Sequence, residues 1–274
     1  MQNKPRPRIL ICNDDGIHSP GLKAAAEALQ PLGELTIVAP RDQYSGAGRS
    51  YPHDSDGHID PVEIEVNNQK VIGYAVGGSP AQAVLHAFME IMDEKPHLVV
   101  SGINYGENIG WGITVSGTIG SAMEGADFGV PALAVSLQLL SENFLEYENI
   151  DFSSAGYFTR LFSERVLKEG LPSGVDLLKI EVPADATQQT GWQVTRLLPD
   201  RYFRIQTTRK GSWKEVKEGK IIGKPKFLPG YGEDTDGHVL IVDKQVSVTP
   251  LKLDMTAPVD FDNLTQHLME NSEK

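Results

Sequence analysis

The chain has 274 residues, 40% hydrophobic and 23% charged, with 37 acidic against 25 basic side chains and a formal net charge of −12, enough for one large α/β domain or a core with a smaller attachment. Without a basic stripe it is a poor partner for a nucleic-acid duplex, which needs clustered Lys and Arg, whereas a small nucleotide needs only one local anion site. A single cysteine, Cys12, excludes an intramolecular disulfide and a cysteine-based zinc site, and with neither a leader-like stretch nor an apolar run near ~18 residues, a cytoplasmic protein without membrane contact is expected.

Arg8 to Cys12 (RILIC) reads as a short buried strand. Ser19 and Pro20 fit the N-cap and first position of a helix whose apolar face is Leu22, Ala25, Ala26 and Leu29. Glu34 to Pro40 (ELTIVAP) is the next strand, and two parallel strands joined by one helix make a βαβ unit. Pro61 to Val76 predicts a hairpin turning at Asn67 and Asn68. Ser79, Pro80 and Gln82 then form a capping box ahead of Val84, Phe88 and Ile91, which recur at helical spacing. His97 to Gly102 is another apolar strand.

The stretch from Gly102 to Gly129 is rich in glycine yet carries Ile, Val and Trp, a composition that brings backbone amides close to a ligand or neighbour. Pro131 to Leu137 reads as a strand. Ser153 or Ser154 caps a helix through Tyr157, Phe158, Leu161, Phe162 and Val166, which Gly170 stops. Further on, Asp176 to Pro183, GWQVTRL, RYFRIQ and His238 to Leu251 look like strands, with the charged run Arg209 to Lys226 as a projecting hairpin or loop. The fold class is α/β: a Rossmann-like three-layer core with a mostly parallel sheet in residues 1–140, continued in 141–274 with a strand-rich C-terminal part.

Ligands of a parallel α/β sheet sit outside the carboxyl ends of its strands. Three such ends carry polar groups: Asp14 and Asp15 after Asn13, Ser45 in VAPRDQYSGAG, and Asn104 in VVSGIN. Two carboxylates, a hydroxyl and an amide oxygen form a hard donor set that suits Mg²⁺ or Mn²⁺ rather than zinc. The plainer reading of NDDG is an Asx turn with glycine in its tolerant position. That turn needs only one acid, and a second adjacent one adds like-charge repulsion unless a cation or strong donors offset it.

Ser116 to Gly120 (SGTIG) opens a helical stretch, where hydroxyls and free amides make either a phosphate cradle or an ordinary cap. Neither Gly-x-Gly-x-x-Gly nor a Walker A pattern is present. His18, four residues past Asp14, is placed to touch substrate phosphate or protonate a leaving group, or simply to pack beside the cap. Tyr105 and Trp111 either stack on a base or pin their loop. Cys12, inside a strand, reads as core.

Taken together, NDDGIHSPG, VAPRDQYSGAG, SGINYGENIG, SGTIGSAMEG and the late VSVTPL resemble the SurE ("survival protein E") family of metal-dependent nucleotidases, in family order. The resemblance implies hydrolysis of nucleoside 5'-monophosphates, and of 3'-monophosphates as a second substrate class. It makes Asp14 and Asp15 the catalytic acids and, with Ser45 and Asn104, the ligands of one Mg²⁺ or Mn²⁺ per subunit. Asn108, Ser116, Gly117 and Thr118 fall where the family lines its phosphate pocket. It further implies a homodimer or homotetramer formed by exchange of C-terminal segments. The stretches Leu139 to Ile150 and Arg209 to Lys226 are the least family-like.

Two rival functions stay open on sequence: a broad acid phosphatase or short-chain exopolyphosphatase with the same metal site, and a nucleotide-binding protein without turnover. An intact acidic pair together with Asn104 favours catalysis.

Overall fold

A computed structural model describes residues 5–139, 150–226 and 230–270, so most of the Leu139 to Ile150 stretch lies outside the described residues. The first βαβ unit forms as the pattern predicts. β1 (Arg8–Cys12) lies parallel to β2 (Glu34–Pro40) with α1 (Pro20–Leu29) between them. Ser19 caps α1, its side chain accepting from the Leu22 N–H, and Pro20 occupies the first turn.

β3 (Ile59–Val66) and β4 (Gln69–Val76) form the hairpin, and Asn67 and Asn68 take the positive φ of 48° and 60° that its tight turn demands. α2 (Pro80–His86) has the predicted capping box and runs into one π-helical turn, Ala87–Ile91. β5 (Leu98–Tyr105) continues three residues beyond the strand read from sequence. A short 3₁₀ turn, Trp111–Val115, then leads into α3 (Gly117–Asp127) and β6 (Ala132–Leu137).

α4 (Ser153–Glu169) ends at Gly170, whose φ is 75°. No serine caps its start: Phe152 holds the cap position without a side-chain bond, and the Asp151 carboxylate accepts from the Ser153 N–H at 2.8 Å. β7 (Leu177–Val182), β8 (Trp192–Val194) and the antiparallel pair β9 (Phe203–Thr207) and β10 (Ile221–Pro225) follow, so the charged run lies within a hairpin.

The His238 to Leu251 stretch is not one strand. It divides into α5 (Asp236–Ile241), a turn at Lys244 with φ 56°, and β11 (Val246–Leu251). Thr235 caps α5 by accepting from the His238 N–H, and a four-residue apolar run carries no periodicity that separates helix from strand. α6 (Phe261–Glu270) completes the described chain.

Nine strands make one sheet in the order β3-β4-β2-β1-β5-β6-β7-β11-β8, parallel from β4 through β7, with β3 and β11 antiparallel to their inner neighbours. Ile9 and Ile11 of β1 face a core shared with Leu22, Leu29, Phe158 and Phe162 of α1 and α4. Leu10 and Cys12 face the opposite core, with Val84, Ile119 and Ala122 of α2 and α3. This period-2 alternation, buried on both faces, creates the three layers. Each fully buried Leu or Ile contributes roughly 1.5–3 kcal/mol. Among the described residues no helix is long and apolar enough to cross a membrane.

Candidate functional site

A cavity of about 510 Å³ opens beyond the carboxyl ends of β1 and β5. Asp14, Asp15, Ser45, Asn104, Tyr105, Asn108 and Ser116 all line it, so residues spread over a hundred positions meet in one place. Phe203, Ile221 and Gly223 of the β9–β10 hairpin wall it from the other half of the chain.

The NDDG turn is built by its ends. Asn13 accepts from the Gly16 N–H through Oδ1 and donates through Nδ2 to Ser19 Oγ at 2.6 Å, while Gly16 supplies a φ of 97°. The two aspartates are therefore not needed for the turn. Asp14 is buried, and its Oδ1 accepts from the Thr118 hydroxyl at 2.6 Å. Asp15 accepts from Gln43 Nε2 at 3.2 Å and from the Tyr105 N–H at 3.1 Å. Burial, and then the charge of Asp15, push the Asp14 carboxyl up to about 7, against the Thr118 hydrogen bond that favours its ionised form.

Ser45 sits on a loop tied down by main-chain bonds from Tyr44 N to Asp14 O and from Gly48 N to Val115 O. Arg49, pairing with Glu124 at 2.7 Å and Asp127 at 2.8 Å, fastens the same loop to α3. The Asn104 amide donates through Nδ2 to Gly106 O at 2.7 Å, which leaves Oδ1 as the group suited to a cation. Among the described residues no cluster of three or more His, Cys, Asp or Glu is placed to hold a metal, so any ion here relies on the neutral oxygens of Ser45 and Asn104 beside the two acids.

Ser116 both lines the cavity and caps α3, accepting from the Ile119 N–H. Gly117 and Thr118 lie behind that lining. A Cβ on Gly117 would stand 2.6 Å from the Asp14 Cβ, and the Thr118 hydroxyl is committed to Asp14 rather than to the cavity. His18 is exposed and outside the lining, because Ile17 takes the buried position beside it. Trp111 also points elsewhere, onto a second cavity of about 480 Å³ with Ile113, Ile119 and Met123. The Cys12 thiol, pushed up to about 12 by burial, is inert core.

A model of the family described as "Survival protein SurE" matches residues 9–204. The chain belongs to the SurE family. Among its relatives, the "5'-nucleotidase SurE" of Thermococcus gammatolerans is 41% identical over 97% of both chains. The protein of the same name from Methanocella arvoryzae is 44% identical over 91% of this chain and 93% of its own. A crystal structure of the SurE protein from Aquifex aeolicus superposes with a TM-score of 0.74 at 31% identity, covering 97% of this chain and all of that one.

Some lining residues of this SurE chain are not singled out from sequence. Gln43, Glu107 and Ile109 lie within the motifs VAPRDQYSGAG and SGINYGENIG, but Phe203 and Ile221 reach the cavity only through the tertiary fold. Beneath the Asn108 loop lies a fully buried ionic cluster of Lys179, Glu181 and Asp236. Its sequence signal is the pair of charges two apart in LLKIEV, an otherwise apolar central strand.

Proposed function

We propose that this chain is a divalent-metal-dependent 5'-nucleotidase, releasing phosphate from nucleoside 5'-monophosphates. The observation that carries the reading is the charge of the cavity. Its described lining includes Asp14, Asp15 and Glu107 but no Lys, Arg or His. A phosphate dianion would be repelled by such a wall, and a divalent cation inverts that field. Asp14, Asp15, Ser45 and Asn104 are the donors that would hold it, and their hard oxygens favour Mg²⁺ or Mn²⁺, one per subunit. When bound, such an ion supplies Lewis acidity to the phosphoryl oxygens.

The chain's own residues take the remaining work. Asn108, and Ser116 at the start of α3 where helix amides favour an anion, bind the phosphate oxygens. Thr118 orients Asp14 through its hydroxyl. Tyr105, Phe203 and Ile221 offer the nucleoside an apolar wall. His18, outside the lining, receives no proton-transfer role. The C-terminal part serves assembly: Phe261, Leu264, Leu268 and Met269 of α6 are exposed, consistent with segment exchange in a homodimer or homotetramer.

Steady-state rates on mononucleotides, sugar phosphates and polyphosphate test the reading. A nucleotidase loses most of its kcat/KM when the base is removed, stops on chelation and recovers with Mg²⁺ or Mn²⁺. Equal efficiency on sugar phosphates or polyphosphate, or full activity in chelated protein, contradicts it.

A further inference from the structure

We infer that Lys179, Glu181 and Asp236 are positioning residues, which clamp the main chain of the Asn108 loop so that the phosphate-binding groups are in place before substrate arrives. The inference rests on the phosphate role proposed for Asn108.

The pairing of β5 with β6 ends where the Gly106 N–H donates to the Leu137 carbonyl, so both peptide groups of Asn108 and the Gly110 N–H need other partners. Side chains supply them. Glu181 Oε2 accepts from the Asn108 N–H at 2.8 Å, and Lys179 Nζ donates to the Asn108 carbonyl at 2.8 Å. Asp236 Oδ2 accepts from the Gly110 N–H at 3.0 Å, and its Oδ1 accepts from Leu198 N at 2.7 Å and from Gly237 N at 2.8 Å. Lys179 Nζ lies 3.1 Å from Asp236 and 3.4 Å from Glu181, which joins the three into one unit.

Both main-chain groups of a single cavity residue are thus held by the two charged side chains of β7, which share a face of the strand at positions two apart. Stability does not account for this arrangement. A buried ion pair is often no better than apolar residues of the same volume, because desolvation cancels most of the attraction. What an apolar pair would lack is a donor and an acceptor for Asn108. The Asn108 side chain, meanwhile, donates to Ser136 Oγ at 3.1 Å on β6, so the loop is held at three points by rigid strands.

The experiment compares Lys179→Met/Glu181→Leu with Asn108→Ala and the parent, measuring KM, competitive inhibition by inorganic phosphate, Mn²⁺ affinity and thermal unfolding. The double variant removes the Lys179–Glu181 pair together; Asp236 loses its cation but keeps its three amide donors. It is expected to fold with a lower unfolding temperature than the parent and to bind Mn²⁺ as the parent does. Its KM and phosphate inhibition constant should rise about tenfold or more, as misplacement of a binding loop requires. Lys179→Met/Glu181→Gln, which restores an acceptor for the Asn108 N–H, should recover part of that affinity. A folded double variant with unchanged phosphate inhibition overturns the inference, as does an equal loss of Mn²⁺ affinity, which would mark general distortion. If Asn108→Ala leaves phosphate inhibition unchanged, the proposed phosphate role of Asn108 fails; if only the double variant is silent, the clamp alone fails. Should the double variant not fold, hydrogen exchange on the parent decides: the Asn108 and Gly110 amides should be protected without phosphate, and exchange at open-loop rates refutes the clamp.

Discussion

Asp14 and Asp15 border an open cavity with no basic side chain among its described lining residues, whereas Glu181 and Asp236 are sealed in the interior around Lys179. In the first pair, burial and mutual repulsion hold Asp14 at about 7. In the second, burial likewise pushes Glu181 up to about 7, but Lys179 and the amides of Asn108, Gly110, Leu198 and Gly237 stand against the charges. One acidic pair has a cation of the chain beside it, and the other has none among the described residues that line its cavity. On the proposed reading the open pair at a strand end takes a metal, and the enclosed pair below it supports the phosphate loop.

The comparison breaks most readily at Lys179. Lys179→Met alone leaves two buried carboxylates uncompensated and should destabilise the protein by roughly 3–5 kcal/mol, read from denaturant unfolding. Asp14→Asn or Asp15→Asn should do the reverse. In chelated protein neither should lower stability much, since each relieves repulsion while the amide oxygen still accepts a hydrogen bond, that of Thr118 at position 14 and one of two at position 15. Each should nonetheless cut phosphate release by about 10²-fold or more. A loss of stability matching that of Lys179→Met would erase the distinction between the two pairs.

Gly117→Ala tests how closely α3 approaches the acids. Its Cβ would lie 2.6 Å from the Asp14 Cβ and 2.9 Å from Asp14 Oδ2, so overpacking of about 1–3 kcal/mol is expected along with weakened Mn²⁺ binding. Thr118→Val is the mildest change. It removes the hydroxyl that holds Asp14 and should lower metal affinity about tenfold, while Thr118→Ser largely retains it. Mn²⁺ titration of the two variants separates that role from direct phosphate contact, which would weaken phosphate at unchanged metal affinity.

Much of this was legible in the sequence because local rules and the global fold agree. The strands from β1 to β6, the Ser19 cap of α1, the capping box of α2 and the Asn67–Asn68 turn follow from periodicity and turn chemistry. The strand-end placement of Asp14, Asp15, Ser45 and Asn104 was visible because parallel sheets put ligands there. Other features depend on tertiary contact. Thr118 reads as a phosphate or capping residue until its hydroxyl is found on Asp14, a hundred positions away. His18 looked poised by spacing, but the turn at Gly16 sends Ile17 inward and leaves His18 in solvent. Phe203 and Ile221 belong to a hairpin whose reach into the cavity has no local signature, and α5 passed for a strand because its apolar run is short.

Calorimetric titration of inorganic phosphate into chelated protein, and again after addition of Mn²⁺, tests most directly whether the open acidic pair needs an external cation. The account predicts no measurable phosphate binding without metal and clear binding with it, and that metal-dependent binding is lost when Asp14 and Asp15 are changed to Asn together. Phosphate binding of equal strength in the chelated protein would contradict it.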